Sequence, residues 1–148
     1  MSFRLTYATM FDPPAEMHER FDAALDRVGT RLGSRHELFV DGIDRSAQQH
    51  AHRSSPIDLD LSLGEFAVAG HADVDLAMRA AQAAWPAWRR LAVAERVRLM
   101  RRVADLMEER VYEIAAALVL EVGKNRMEAL GEAQETVDFF RHYADDFE

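Results

Sequence analysis

Cysteine is absent from this chain of 148 residues. Without it there is no disulfide, no thiolate metal site and no thiol nucleophile. Positive charge is also scarce: 18 Lys and Arg stand against 26 Asp and Glu, a net charge of −8. That balance argues against non-specific nucleic-acid binding, which needs a basic footprint, but leaves room for a local basic site. Long apolar runs are missing. The longest clean one, Ile114–Leu120, falls far short of the roughly 20 residues a membrane span requires. The opening MSFRLTYATMFDPP has an arginine but no apolar stretch behind it, so it does not read as a signal peptide. A cytoplasmic setting is the expectation, with neither nucleic acid nor membrane as partner. The seven glycines (29, 33, 42, 64, 70, 123, 131) are scattered, and no Gly-rich strand–turn–helix unit for dinucleotide phosphates is visible.

What the chain does have is helical periodicity. Hydrophobic residues make up 49% of it and charged residues 30%, which suits one globular domain with a real core. Residues 1–13 read as irregular. Met17, Phe21, Leu25, Val28 and Leu32 then recur at helical spacing, with Gly33 as the stop. Gly29 inside that stripe costs about 1 kcal/mol relative to alanine. Leu38–Val40 is a short strand, and Asp41-Gly42 signals a type I′ hairpin, whose two central residues both need positive φ. From His50 to Gly70 the alternation of Ile57, Leu59, Leu61 and Leu63 with Asp58, Asp60 and Ser62 predicts strand. Val74, Ala77, Met78, Ala81, Trp85 and Trp88 form the inner face of a helix that Pro86 should end. A second stripe runs from Val97 to Val122, too long for one straight helix, with a break expected near residues 109–111. Gly123 then suits a left-handed helix end, and Asn125 caps the next helix with Glu128 completing the reciprocal spacing. Met127, Leu130, Val137, Phe140 and Ala144 mark its buried stripe; Glu128, Glu132, Glu135 and Asp138 lie on other faces. Helices are therefore predicted near 14–32, 73–88, 94–122 and 126–146, with strands between 37 and 69.

Candidate sites read two ways. His50 and His52 share a face of a strand and could ligate a metal, but no third ligand stands nearby, and exposed strand histidines are the simpler reading. Arg89, Arg90, Arg96, Arg98, Arg101 and Arg102 could bind an anion, yet Glu95, Glu108 and Glu109 are interleaved with them, as on a solvated, salt-bridged face. Gly123-Lys124 fails as a phosphate loop, because Leu118 replaces the first glycine and Asn125 the Ser/Thr that would meet magnesium. Trp85 and Trp88 read as core rather than as a ligand platform. Taken alone, Glu135 is an exposed helix carboxylate.

One stretch resembles a known family. LEVGKNRMEALGEAQETVDFFRHYA is similar to the aldehyde dehydrogenase superfamily, in which a long helix ends in Glu-x-Gly-Lys and the next helix in a Phe-x-x-Tyr-Ala-like signature. The Glu-Val-Gly-Lys-Asn version is most similar to the 1-pyrroline-5-carboxylate (L-glutamate γ-semialdehyde) dehydrogenases. The resemblance extends back through AERVRLMRRVADLMEER and AAQAAWPAWRRL to HELFVDG. In place of the family's usual Asn-Pro and Gly-containing turn, this chain has Ser55-Pro56 followed by IDLDLSL.

The resemblance implies an α/β parent fold. This chain would be its mostly α-helical N-terminal part with a few short strands: an arm over residues 1–36 and a partial cofactor-binding domain over 37–148. It implies NAD as cofactor of the full-length family and places Glu135 on the wall of the aldehyde tunnel, where its carboxylate would hold the substrate's amino group. Glu121 would stand either at a monovalent-cation site of some relatives or on the surface. The family's chemistry needs a cysteine thiolate in person, so a fragment inactive alone is expected. The alternative is a stand-alone helical interaction module, binding a full-length paralogue or a complementing C-terminal chain; a homo-oligomer is a further expectation.

Overall fold

The computed structural model describes residues 13–148, and the expectation for residues 1–13 lies almost wholly outside them. The described chain divides into two compact units. One holds α1 (Ala15–Gly29), α3 (Val93–Glu109), α4 (Val111–Val122) and α5 (Arg126–Phe147); the other, residues 32–92, holds five strands and α2 (His71–Trp88). The division falls after Arg31 and after Ala92, and α1 packs on α4.

The helical unit has a core built largely on small residues. Met17, Phe21 and Ala24 of α1, Tyr112, Ala115 and Ala116 of α4, and Ala129, Leu130 and Ala133 of α5 are buried together. Alanines let the helix backbones approach closely, and Phe21 and Met17 fill the space between. Full burial of side chains of that size is worth roughly 1.5–3 kcal/mol each. On α3, Val97 and Ala104 are buried, and α3 runs against α5. Charged forks tie the two: Arg141 donates to Glu108 (2.6 Å) and Asp105 (3.2 Å), and Arg101 to Asp145 and Glu148, each at 2.6 Å.

The break in the long stripe falls at Arg110 (φ −114°, ψ 14°), which separates α3 from α4. Gly123 adopts φ +78° at the end of α4, and its N–H returns to the Val119 carbonyl. Asn125 Oδ1 accepts from the N–H groups of Met127 and Glu128. The reciprocal bond expected from Asn125 N–H to Glu128 is not made among the described residues, so the cap is one-sided. Of the stripe predicted on α5, Leu130, Val137 and Ala144 are buried, while Met127 and Phe140 are only half-buried.

In the second unit, β2 (Leu38–Val40) and β3 (Ile43–Arg45) form the expected hairpin, with Asp41 at φ 57° and Gly42 at φ 74°. A separate sheet has the order β1-β5-β4, with β1 (Arg35–His36) parallel to β5 (Ser62–Val68) and β4 (Gln49–Ser54) antiparallel to it. Residues 57–61 are not strand as the alternation predicted. Asp58 captures the backbone there: its carboxylate accepts from Asp60 N–H and its carbonyl from Leu61 N–H, leaving Ile57 and Leu59 exposed. Local side-chain bonds of this kind compete with a ladder. Gly64 lies inside β5, at φ +145°, where an added Cβ would sit 2.4 Å from the Ser34 carbonyl oxygen.

Helix α2 begins at His71, and the Asp73 carboxylate accepts from Gly70 N–H at 2.8 Å. Pro86 does not stop it; the helix runs on to Trp88, and Arg89 N–H reaches the Trp85 carbonyl. The expected inner face is not buried. Val74, Met78 and Trp85 are each more than half exposed, and no residue of α2 is fully buried. The face is amphipathic, but no other element of its own unit covers it.

Candidate functional site

Helix α5 places the one residue singled out for substrate binding. Its buried face carries Ala129, Leu130, Ala133, Val137 and Ala144. At 3.6 residues per turn the opposite face carries Glu128, Glu132, Glu135, Phe139, His142 and Tyr143, all exposed. Phe139 lies one turn beyond Glu135 and stacks on Tyr143, with ring centroids 5.9 Å apart and planes inclined by 12°. Glu135 makes no hydrogen bond or ion pair among the described residues. Lys124, in the turn before α5, pairs with Glu132 instead. The stripe thus presents an uncommitted carboxylate beside an aromatic wall, an arrangement suited to an ammonium group on an otherwise apolar molecule.

The remaining sequence candidates resolve individually. His50 is not an exposed strand histidine: its side chain is 7% exposed. Its Nε2 meets a Glu37 carboxylate oxygen at 3.1 Å, and Arg35 Nη2 lies 2.8 Å from its Nδ1. With Arg35 donating to Nδ1, Nε2 carries the proton and donates to Glu37. Partial desolvation works against the charged form of Glu37, but the hydrogen bond from His50, a backbone hydrogen bond from Ala47 and the charge of Arg35 outweigh it and hold the carboxyl below its ordinary range. His52 turns to Ser54 Oγ at 3.3 Å. The two histidines do not converge, and no metal-holding group of three or more His, Asp or Glu exists among the described residues.

Three of the six arginines are ion-paired, Arg98 with Glu95, Arg102 with Glu109, and Arg101 with Asp145 and Glu148, while Arg96 lies over the Phe147 ring. These are the solvated pairs expected, although the closest join α3 to α5 instead of running along one helix. Glu121 is exposed. Trp85 is 56% exposed, so it is not core within this chain. A cluster the sequence reading missed lies between α1 and α4, where Arg27, Arg31 and Arg110 all meet Glu113. Arg20 and Arg27 lie seven residues apart on one face of α1, with Arg31 just past its end, and that signal was available.

Among the described residues there is no Gly-rich strand–turn–helix loop of the kind that holds dinucleotide phosphates. After β5 the chain turns through Ala69-Gly70 into α2, but the first turn of that helix already holds the Asp73 carboxylate. A phosphate needs that end of a helix open and positive.

Comparison with known proteins places the chain. The model of the "Aldehyde dehydrogenase family" matches residues 43–148, and the chain belongs to that family. The 1-pyrroline-5-carboxylate dehydrogenase of Staphylococcus haemolyticus is 32% identical over 126 residues, which are 85% of this chain and 24% of the relative. A mutant of Thermus thermophilus 1-pyrroline-5-carboxylate dehydrogenase superposes with a TM-score of 0.88 at 30% identity, covering 98% of this chain and 28% of that one. The Δ-pyrroline-5-carboxylate dehydrogenase of Mycobacterium tuberculosis, in a structure bound with NAD, superposes with a TM-score of 0.81 at 26% identity, covering 90% of this chain and 25% of that one. The chain thus spans about a quarter of the length of the relatives it matches. It is the mostly helical, partial N-terminal portion of their α/β fold. Among the described residues no helix is long and apolar enough to cross a membrane.

Proposed function

We propose that this chain is the N-terminal portion of a cytoplasmic NAD-dependent dehydrogenase that oxidises L-glutamate γ-semialdehyde to glutamate, and that alone it has no dehydrogenase activity. In the complete reaction, water adds an oxygen to the aldehyde carbon and hydride leaves for the nicotinamide. This chain supplies neither a thiolate nor a Gly-rich turn for the dinucleotide phosphates. Its contribution is one wall of the substrate pocket. The observation that carries the reading is Glu135, exposed and uncommitted beside the Phe139–Tyr143 stack in a chain 30–32% identical to enzymes of that activity. Its carboxylate holds the substrate ammonium, and NAD binds to the portion of the enzyme beyond these residues.

The partner is a complementing C-terminal chain of the same family, in an enzyme that associates with further copies. The uncovered face of α2, with Val74, Met78 and Trp85, supports that partner, since apolar patches of this kind mark association surfaces. The same face is what a stand-alone interaction module would use, and behaviour in solution separates the two. A fragment self-associates until complemented, whereas an evolved module is monodisperse and unfolds cooperatively on its own.

The test has two parts. The purified chain, given NAD and the semialdehyde, yields no NADH; turnover by the chain alone overturns the proposal. In an enzyme completed by a C-terminal chain, Glu135→Ala raises KM for glutamate semialdehyde by about tenfold or more, the loss of one charge-assisted hydrogen bond, and leaves a plain aliphatic aldehyde unaffected. Equal effects on both remove the role of Glu135.

A further inference from the structure

Helix α1 and the start of α4 enclose a cleft of about 200 Å³, lined by Arg20, Ala23, Arg27, Glu109, Arg110, Tyr112 and Glu113. Its charge is opposite to that of the chain as a whole. Arg27 Nε meets one oxygen of Glu113 at 3.3 Å; Arg31 Nη2 and Arg110 Nη2 meet the other at 3.3 and 3.6 Å. One carboxylate therefore answers three guanidinium groups. Arg20 adds a fourth, with its Cζ 4.4 Å from the centre of the Tyr112 ring and no ion pair among the described residues. Glu109 is engaged by Arg102. Glu16, one turn before Arg20, lies close enough to act on Tyr112. The lining itself carries three guanidinium groups against the two carboxylates of Glu109 and Glu113, an excess of one positive charge in a chain whose net charge is −8.

We propose that this cleft binds a phosphoryl or pyrophosphoryl group. The guanidinium groups of Arg20, Arg27 and Arg110 present planar forks of N–H donors suited to oxyanions. Three of the four line a concave space large enough for one or two phosphoryl units. Arg31 has an additional partner and serves as support. Glu113 acts as a placeholder. Partial burial works against its charge, but hydrogen bonds from Arg31 and Arg27 outweigh it and hold the carboxyl below its ordinary range. An incoming dianion shares the guanidinium donors with it. The site lies within the helical unit and binds independently of any dehydrogenase activity.

The test is calorimetric titration of the purified chain with inorganic pyrophosphate and, separately, with ADP, which carries the same group on an organic body. Saturable binding of pyrophosphate is expected, weakening as salt is raised. Tighter binding of ADP than of pyrophosphate identifies an organic phosphate as the ligand; equal binding identifies the bare anion. Arg20→Gln and Arg110→Gln each weaken binding by about tenfold, the equivalent of one charge-assisted contact. Glu113→Gln tightens it several-fold, and Glu121→Gln, an equal change of charge on another exposed turn, leaves it alone. Circular dichroism establishes which variants are folded; should Arg20→Gln fail, Arg110→Gln at the exposed helix junction carries the test. Absence of saturable binding at millimolar pyrophosphate, wild-type affinity in the arginine variants, or equal tightening by Glu113→Gln and Glu121→Gln overturns the proposal.

Discussion

The two compact units of this chain use similar amounts of apolar sequence to different ends. The helical unit buries its stripes on itself: α1, α4 and α5 share one core, and each contributes residues with almost no exposed surface. The unit over residues 32–92 buries little beyond Leu63 and Ser55, and leaves Phe39, Ile43, Ile57, Leu59, Val74, Met78 and Trp85 in the open. Amphipathicity predicts which face an element will turn inward, provided that something is there to cover it. In the helical unit the cover is supplied by the chain itself. For α2, the other elements of residues 32–92 offer none.

That contrast can be attacked directly. The largest effect is expected from Phe21→Ala, which opens a cavity in the helical core and costs about 3–5 kcal/mol. Trp85→Ala, an even larger truncation, changes stability by only about 0.5 kcal/mol or less, as surface substitutions do. Denaturant melts of the two variants check this, and comparable losses would erase the distinction. Next comes Gly64→Ala, where the new Cβ meets the Ser34 carbonyl at a φ that side chains avoid. The expected cost is about 2–3 kcal/mol. Hydrogen exchange should quicken at Glu65 N–H, which bonds that carbonyl, while amides of the helical core keep their protection.

The smallest effect sharpens the comparison through acid, because each unit has one carboxylate held below its ordinary range: Glu113 in the helices and Glu37 beside His50. A depressed carboxyl stabilises the fold fully above its unfolded value, near 4.5, and loses that contribution as pH falls through the folded value. Glu113→Gln should flatten the acid limb of a melt followed on helix signal. Glu37→Gln should do so for exchange in the sheet. An unchanged acid limb in both variants would show that neither ion pair contributes.

Where local chemistry decides the backbone, the sequence was readable. Asp41-Gly42 requires positive φ at both positions and has it; Gly123 ends a helix and Asn125 starts one for reasons contained within a few residues. The misreadings have specific causes. In Ile57–Leu61 a period of two satisfied the strand template, but Asp58 bonded its own neighbours first. Pro86 sits late enough in α2 that the helix tolerates it for two further residues. His50 was taken as exposed because its partners Arg35 and Glu37 lie on a different stretch of chain. For the cluster around Glu113 the arginine spacing was legible but its partner was not, with 82 and 86 residues separating that carboxylate from Arg31 and Arg27. Glu135 could be placed on a helix face by spacing, but its proposed task comes from family resemblance, since no contact within these residues reveals it.

The interruption at Arg110 has a consequence for how the molecule is made. An unbroken rod over residues 93–122 would reach about 45 Å and overrun the length of α5; jointed, both halves lie along that one partner. Since α5 is the last of these helices to leave the ribosome, α1 can settle on α4 first, while α3 has little to pack against until α5 emerges. The helical unit is therefore closed by its final segment, and synthesis rather than local propensity sets the moment at which it becomes whole.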